Sequence, residues 1–152
     1  MNDNEIRTYV DRQRIEDVVT RLFLLTDKLD WVNLREKCLD EEVIFDMSSL
    51  TGEAVRKVPA KEITDGWEAG LRPLESVHHQ MGNLLISFTS GDHAIATCYA
   101  TAIHYLPNEK GGSTRTYVGS YELGMARTVH GWRIESFKYI SKFVMGNLEL
   151  GR

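Results

Sequence analysis

The 152-residue sequence is poor in cysteine, in proline and in long apolar runs. Its two cysteines, Cys38 and Cys98, have neither the spacing of metal ligands nor the density of a disulfide scaffold, so we expect a reduced, cytoplasmic protein. The longest apolar run, LFLL at 22–25, is too short to cross a membrane, and the N-terminus lacks a signal-peptide core. A net charge of −4 without any basic run argues against nucleic acid as a partner.

The composition that remains is that of an ordinary globular protein. Hydrophobic residues make up 42% of the chain and charged residues 26%, and the length suits one domain with a sizeable core. We therefore expect a single domain over residues 1–152. The polar residues 1–10 read as a loose lead-in, and residues 141–152 as a C-terminal tail.

The pattern along the chain predicts helices first and strands afterwards. Apolar residues at helical spacing predict an amphipathic helix over 11–29, Asp30 is typical of the N-cap of a short helix at 31–38, and a third helix is predicted at 60–72. A short strand is expected at 42–47, followed by a loop to Pro59. Later strands, at 77–88, 93–106, 114–127 and 132–140, have short connections that join antiparallel neighbours. The class is α+β, with helices covering one face of the sheet.

The strand at 93–106 carries an unusual row of small side chains. Ala94, Ala96, Cys98, Ala100 and Ala102 alternate onto one face, and His104 closes the row. Small residues allow either the close approach of a covering helix or an open cavity with a histidine at one end. Both interpretations are open on the pattern alone.

Asp27 stands in the last turn of the first predicted helix, where the helix dipole disfavours a carboxylate. Asp30 is explained as a cap, but Asp27 is not. A carboxylate at that place is explained if it orients a histidine, because an Asp–His pair is the minimal general-base device. His78 and His79 open a strand and point to opposite faces, so only one of them can face inward. His93 and His130 lie in predicted turns and are expected at the surface.

Four motifs in order resemble the SnoaL-like group of the nuclear transport factor 2-like superfamily. They are D-x-x-D-W at 27–31, H-x-x-G-N at 79–83, G-D-x-A at 91–94 and G-W-R-I at 131–134. The resemblance runs from about Ile15 to Tyr139. It implies a cone-shaped barrel of a strongly curved, mostly antiparallel sheet, whose N-terminal helices close a cavity.

Within that group the functional pattern is similar to the scytalone dehydratase family, with the lindane dehydrochlorinase family of similar layout. The resemblance implies a catalytic pair at Asp27 and His79, a second catalytic histidine at His104 and a pocket serine at Ser120. It implies no metal and no cofactor, and it implies a small hydrophobic substrate.

Three further positions depart from the dehydratase pattern. Thr26 and Met47 stand where the dehydratases have two tyrosines that polarise the substrate carbonyl, and Glu122 stands where they have a pocket asparagine. The Asp–His pair that removes a proton is therefore retained, while the residues that would stabilise the enolate are altered. Tyr9, Tyr99 and Tyr117 are the candidates for a replacement donor.

Four functions remain open at this point. One is a lyase or isomerase that uses Asp27 and His79 as general base, with His104 and Ser120 binding the departing or carbonyl oxygen. A polyketide-cyclase-type aldol enzyme would start with the same proton removal. A non-catalytic module would use the cavity for ligand binding or the sheet for dimerisation. A metal site would use His79, His104 and Asp27 as a two-histidine, one-carboxylate set.

The second face of the predicted sheet carries tyrosines and β-branched residues, among them Tyr99 and Tyr105. A face of this composition predicts self-association, and we expect a homodimer or a homotrimer.

Overall fold

A computed structural model describes all 152 residues of the chain. The structure has four helices and six strands, one of each more than the sequence pattern predicts, and its last four elements are all strands as predicted. The helices are α1 (Asp3–Asp27), α2 (Trp31–Lys37), α3 (Ser48–Thr51) and α4 (Ala60–Leu71). The strands are β1 (Leu39–Asp46), β2 (Arg56–Pro59), β3 (Ser76–Phe88), β4 (His93–Tyr105), β5 (Thr114–Thr128) and β6 (Gly131–Gly146).

One curved sheet in the order β2-β1-β6-β5-β4-β3 forms the body of the molecule. All neighbouring strands are antiparallel except β1 and β6, which are parallel. The helices pack against its concave face, and the core lies between them. The predicted α+β class and the cone-shaped, mostly antiparallel barrel are confirmed.

Local irregularities of the ladder bend the sheet. The pairing of β3 with β4 shifts register between Gly82 and Leu85, and Asn83 has a left-handed φ of 54°. Asn tolerates this conformation better than most residues do, and a bulge increases the local bend and twist of a strand. The H-x-x-G-N motif therefore places His79 immediately before the point where β3 curves.

Two predicted boundaries are wrong at the chain ends. Residues 1–10 are not a loose lead-in, because α1 begins at Asp3. The side chain of Asn2 accepts a hydrogen bond from the N–H of Glu5, and the Glu5 carboxylate accepts one from the N–H of Asn2. This capping box starts the helix locally, without help from the core. Residues 141–152 are not a simple tail either, since β6 continues to Gly146 and Leu150 is fully buried.

The stretch before Pro59 is also more ordered than predicted. It contains the one-turn helix α3 and the edge strand β2, which pairs with β1. The N-cap at Asp30 is confirmed, since its carboxylate accepts a hydrogen bond from the N–H of Asn33.

The alanine row of β4 is divided between the hydrophobic core and a cavity. All its members are buried on the concave face. Ala94 to Ala100 belong to the core, whereas Ala102 and His104 line a cavity. The opposite, convex face exposes apolar side chains, including Leu85, Tyr99 and Phe143. The homodimer or homotrimer stays a prediction. None of the helices is long and apolar enough to cross a membrane.

A buried ion pair ties α1 to the last two strands at the end of the barrel away from His104. Asp11 is 4% exposed, and its two oxygens lie 3.0 and 2.6 Å from Nη1 and Nη2 of Arg127. The indole N–H of Trp132 donates to the same carboxylate at 3.1 Å. The hydrogen bond from Arg127 is the main reason that the pKa of Asp11 lies below its ordinary value.

We predict that Asp11→Asn lowers the free energy of unfolding by about 1–3 kcal/mol near neutral pH, since it leaves the buried end of Arg127 poorly paired. Because the folded-state pKa of Asp11 is lowered, its stabilisation is present above the ordinary carboxyl pKa and is lost as the pH falls through the lowered value. Urea unfolding in neutral and in strongly acidic buffer measures both effects. Asp17→Asn, at an exposed position of the same helix, is the control. An equal loss at both pH values would contradict the ion-pair explanation.

Candidate active site

A cavity of about 270 Å³ lies between the helices and the concave face of the sheet. It is mostly apolar, with a few polar groups on β3, β4 and β5, which is typical of small-molecule sites. Its lining residues are Leu22, Phe23, Thr26, Met47, Leu50, Gly66, Trp67, Gly70, Leu71, His79, Ala102, His104, Arg115, Tyr117, Tyr121, Phe137 and Tyr139.

Exposed residues of α3 and α4 border the cavity. Leu50, Gly66 and Gly70 line the cavity and are also exposed to solvent. A side-chain carbon placed on either glycine would have no neighbour within 4 Å. The two glycines weaken α4 as a helix, by about 1 kcal/mol each relative to alanine, but they leave the space beside the cavity open.

Asp27 and His79 form a close pair at the wall of the cavity. Oδ1 of Asp27 lies 2.6 Å from Nδ1 of His79, and Oδ2 accepts the backbone N–H of the same histidine at 3.0 Å. Asp27 is the last residue of α1, and the free backbone groups at that end of a helix are carbonyls, which cannot donate to a carboxylate. The two N–H groups that bind the Asp27 side chain therefore come from β3. Because a carboxylate oxygen accepts, Nδ1 carries a proton, and in the neutral form of the ring Nε2 of His79 is bare.

The surroundings hold the His79 ring in place. The ring of Phe23 lies 5.5 Å from the imidazole, and the His79 side chain is only 10% exposed. Nε2 makes no hydrogen bond to the protein, and His79 lines the cavity. His78, its neighbour, is exposed, so the alternation predicted for this pair is confirmed.

His104 lines the same cavity but has a different partner. Nδ1 of His104 lies 3.0 Å from Nη2 of Arg115, which is 7% exposed and also lines the cavity. Burial, followed by the positive charge of Arg115, lowers the pKa of His104 to about 4. The imidazole is therefore neutral near neutral pH.

Two of the other expected positions line the cavity. Thr26 and Met47 lie where predicted, but the Thr26 hydroxyl donates to the carbonyl of Leu22 at 2.6 Å within its own helix. Its proton is therefore not available to a ligand. Neither residue can replace a tyrosine as hydrogen-bond donor.

The predicted roles of Ser120, Glu122 and Tyr99 are wrong. Ser120 and Tyr99 are partners on the convex face, where Tyr99 is 52% exposed, and Glu122 forms an exposed ion pair with Lys138. The physical reason is strand parity, since His104 is inward and pairs with Arg115. That register turns the odd-numbered residues of β5 inward and the even-numbered ones outward.

Correct parity identifies the polar residues that the sequence interpretation missed. Arg115 and Tyr121 line the cavity although the sequence pattern did not predict them there. Of the three candidate donors only Tyr117 lines the cavity, since Tyr9 and Tyr99 are exposed. Burial raises the pKa of Tyr121 and of Tyr139, so both phenols keep their protons. Gly119 lets the Tyr139 ring lie close to β5, because a side-chain carbon there would stand 2.5 Å from the Tyr139 hydroxyl.

The two-histidine, one-carboxylate metal site is not formed. No group of three or more His, Cys, Asp or Glu side chains is arranged to hold a metal ion. Asp27 is bonded to His79, and His104 directs Nδ1 to Arg115.

A family model of the SnoaL-like domain matches residues 7–138. The chain is a member of the SnoaL-like domain family. A comparison with curated proteins finds no match.

Solved structures with the same fold cover nearly the whole chain. The Kfla4162 protein from Kribbella flavida is 24% identical with a TM-score of 0.88, over 95% of this chain and 99% of the other. A candidate scytalone dehydratase from Novosphingobium aromaticivorans is 14% identical with a TM-score of 0.80, over 94% and 91%. A type 2 hexachlorocyclohexane dehydrochlorinase is 15% identical with a TM-score of 0.78, over 96% and 95%. At these identities the likeness shows the fold, which is the nuclear transport factor 2-like fold.

We predict that the stability of the protein falls as the pH decreases from about 6.5 to about 4, by on the order of 2–3 kcal/mol from His104 alone. The folded-state pKa of this base is lowered, so in that window the unfolded chain binds the additional proton and unfolding is favoured. Urea unfolding at a series of pH values measures the slope. His104→Gln removes the titrating group and flattens the slope, whereas His130→Gln, at an exposed turn, leaves it unchanged. An unchanged slope in His104→Gln would contradict the assignment.

Proposed function

We propose that this protein is a cofactor-independent lyase or isomerase that removes a proton from a small, hydrophobic cyclic substrate. The observation that carries the proposal is the geometry of His79. Its Nδ1 is held 2.6 Å from the Asp27 carboxylate, its backbone N–H is bound by the same carboxylate, and its bare Nε2 faces an apolar cavity.

The pair performs the first chemical step as a general base. Nε2 of His79 takes a proton from a substrate carbon next to a carbonyl, and the electron pair of the C–H bond moves toward the carbonyl oxygen. Asp27 stabilises the imidazolium that forms and keeps the ring in orientation. The imidazolium then returns its proton either to a leaving hydroxyl, which completes an elimination, or to another carbon, which completes an isomerisation.

The remaining cavity walls suit this substrate class. The rings of Phe23, Trp67 and Phe137 provide flat apolar surface, and His104 and Tyr117 place polar groups near one end, with their rings 5.2 Å apart. A volume of about 270 Å³ accommodates one or two fused rings.

The family and its structural relatives support the proposal. The chain belongs to the SnoaL-like family, and solved structures with its fold include proteins named as a dehydratase and as a dehydrochlorinase. Both names describe eliminations. These relatives favour elimination as the reaction that follows proton removal in this protein. Aldol closure of the polyketide-cyclase type would begin with the same proton removal.

One specific observation favours a non-catalytic role of the pair. Asp27 binds the backbone N–H of His79 as well as its ring, so it joins α1 to β3 and satisfies two polar groups in a partly buried place. A ligand-binding module would need this contact for structure alone. The two roles differ in one measurable property, which is the exchange of substrate protons with solvent.

We predict that, in deuterated water, the wild-type protein catalyses the incorporation of deuterium next to the carbonyl group of at least one cyclic ketone that has one or two rings. Proton NMR of a small ketone panel detects this step, whether elimination, isomerisation or aldol closure follows. His79→Gln and Asp27→Asn are each expected to lower the exchange rate by about 10²–10⁴-fold, because both remove general-base catalysis.

The matched control is His78→Gln, at the adjacent position on the convex side of β3, which is expected to keep the wild-type exchange rate. Thermal unfolding of each variant separates loss of chemistry from loss of fold. Ketones that bind without exchanging would overturn the catalytic proposal in favour of the binding module. Full exchange in His79→Gln would assign the proton removal to another group.

A further inference from the structure

Arg115 is a buried cation without a carboxylate partner. It is 7% exposed, and its polar contacts are to neutral groups: Nη2 to Nδ1 of His104 at 3.0 Å, and Nη1 to the carbonyls of Leu148 and Leu150 at 3.5 and 3.2 Å. Nε is buried and has no partner. A buried charge without a paired counter-charge costs stability, so an arginine at the wall of the cavity calls for a functional explanation.

The contact with Arg115 determines where His104 carries its proton. A guanidinium has only donors, so the ring nitrogen that faces it must accept and must be unprotonated. The single ring proton of His104 is therefore on Nε2. A second proton on Nδ1 would break the hydrogen bond and place two cations in contact, and burial opposes it further.

Nε2 of His104 is directed to the cavity. Nε2 has no hydrogen-bond partner in the protein and is not sealed off from solvent, and the His104 side chain lines the cavity. The groups around the ring are Arg115 and Tyr117 on β5, His79 on β3 and Asp27 at the end of α1. A neutral N–H donor therefore faces the same space as the bare nitrogen of His79.

The spacing of the two histidines suits one substrate. His79 pairs with Ala102, and His104 is the next inward residue of β4, so the histidines are diagonal neighbours across the strand pair. Such neighbours are about 7–8 Å apart. A substrate between them can present a C–H to one imidazole and an oxygen to the other.

We propose that Arg115 is a positioning residue that holds His104 as a neutral imidazole, whose Nε2–H donates to the substrate oxygen that gains negative charge when His79 removes the proton. The substrates of this cavity are then ring compounds with a carbonyl oxygen next to the reacting C–H. Halogenated rings without an oxygen leave this donor unused. This inference rests on the proposed function, because it names the substrate class of the same site.

The chemistry of the pair fits an enolate. A neutral imidazole donor is matched to an oxygen whose charge develops during the reaction, and it keeps its proton when that charge has formed. The positive charge of Arg115 behind Nδ1 polarises the ring, which strengthens the Nε2–H as a donor. The anchors of Arg115 on the two C-terminal carbonyls and its position 5.5 Å from the Tyr117 ring fix the geometry of the pair.

The tautomer is tested directly by ¹⁵N NMR of histidine-labelled protein without ligand. In the wild type we expect the His104 ring to show a protonated Nε2 and a bare Nδ1 throughout the neutral range. In Arg115→Met we expect a mixture of tautomers and an upward shift of the His104 titration. Arg7→Met, which removes an exposed arginine from α1, is the control. A protonated Nδ1 in the wild type would overturn the proposal, and this measurement does not depend on the folding of any variant.

The donor is tested with 4-nitrophenol, whose phenolate is a stable mimic of an enolate and whose ionisation is visible by absorbance. The wild type is expected to bind the phenolate in preference to the phenol. Arg115→Met and His104→Leu are expected to weaken phenolate binding by about 10- to 100-fold with little effect on the phenol, because a hydrogen bond to a charged group is lost. His104→Gln, which retains an N–H donor, is expected to recover part of the preference.

Equal binding of phenol and phenolate by the wild type would overturn the proposal. The outcome is separable from that of the proposed function, because neither readout requires turnover. If no ketone exchanges protons but the His104 tautomer and the phenolate preference are found, the assignment of His79 as general base is wrong and the assignment of His104 as donor is supported. If ketones exchange protons at the wild-type rate in His104→Leu, the assignment of His79 as general base is supported and the assignment of His104 as donor is wrong.

Discussion

The contact between Asp27 and His79 is the interaction on which the rest of the site depends. A carboxylate at the C-terminal end of α1 is opposed by the helix dipole, a penalty of about 0.3–1 kcal/mol. Two N–H groups of one residue on β3 offset that penalty at 3.0 and 2.6 Å. The same two bonds fix the distance between helix and sheet, and they leave one imidazole nitrogen facing the space between them. The same contact therefore joins α1 to β3 and orients the imidazole that we propose as the general base.

Two histidines on one concave face are differentiated by their partners. An acceptor holds Nδ1 of His79 and a donor holds Nδ1 of His104, so one ring offers a bare Nε2 and the other an Nε2–H. The proposed removal of a proton beside a carbonyl would use both groups, because the oxygen gains charge while the carbon loses its proton. The two side chains are chemically identical, so their different proton positions come from their partners. These partners are Asp27 at the end of α1 and Arg115 at the start of β5.

The sequence predicted those features that depend on local signals. Asp27 stood out because its charge contradicts its place in a helix, and Asp30 because it agrees with a cap. The inward direction of His104 followed from the alanine row. Ser120 and Glu122 were misplaced because the loop between β4 and β5 does not reveal the register, and a shift by one residue exchanges the two faces of a strand. The alternation of Tyr117, Tyr121, Leu123 and Met125 was the signal that could have corrected the parity, and it would also have identified Arg115.

The part of the site that local signals could not reveal is its empty volume. A row of alanines is compatible with a close helix or with a cavity, and here the row passes from the packed core to the cavity wall between Ala100 and Ala102. The last turns of α1 border the cavity with Leu22, Phe23 and Thr26, and β3 borders it with His79. Asp27, the last residue of α1, binds the His79 ring at this wall. The end of α1 therefore both lines the cavity and orients the imidazole that we propose as the base, so a shift of this helix end would alter both together.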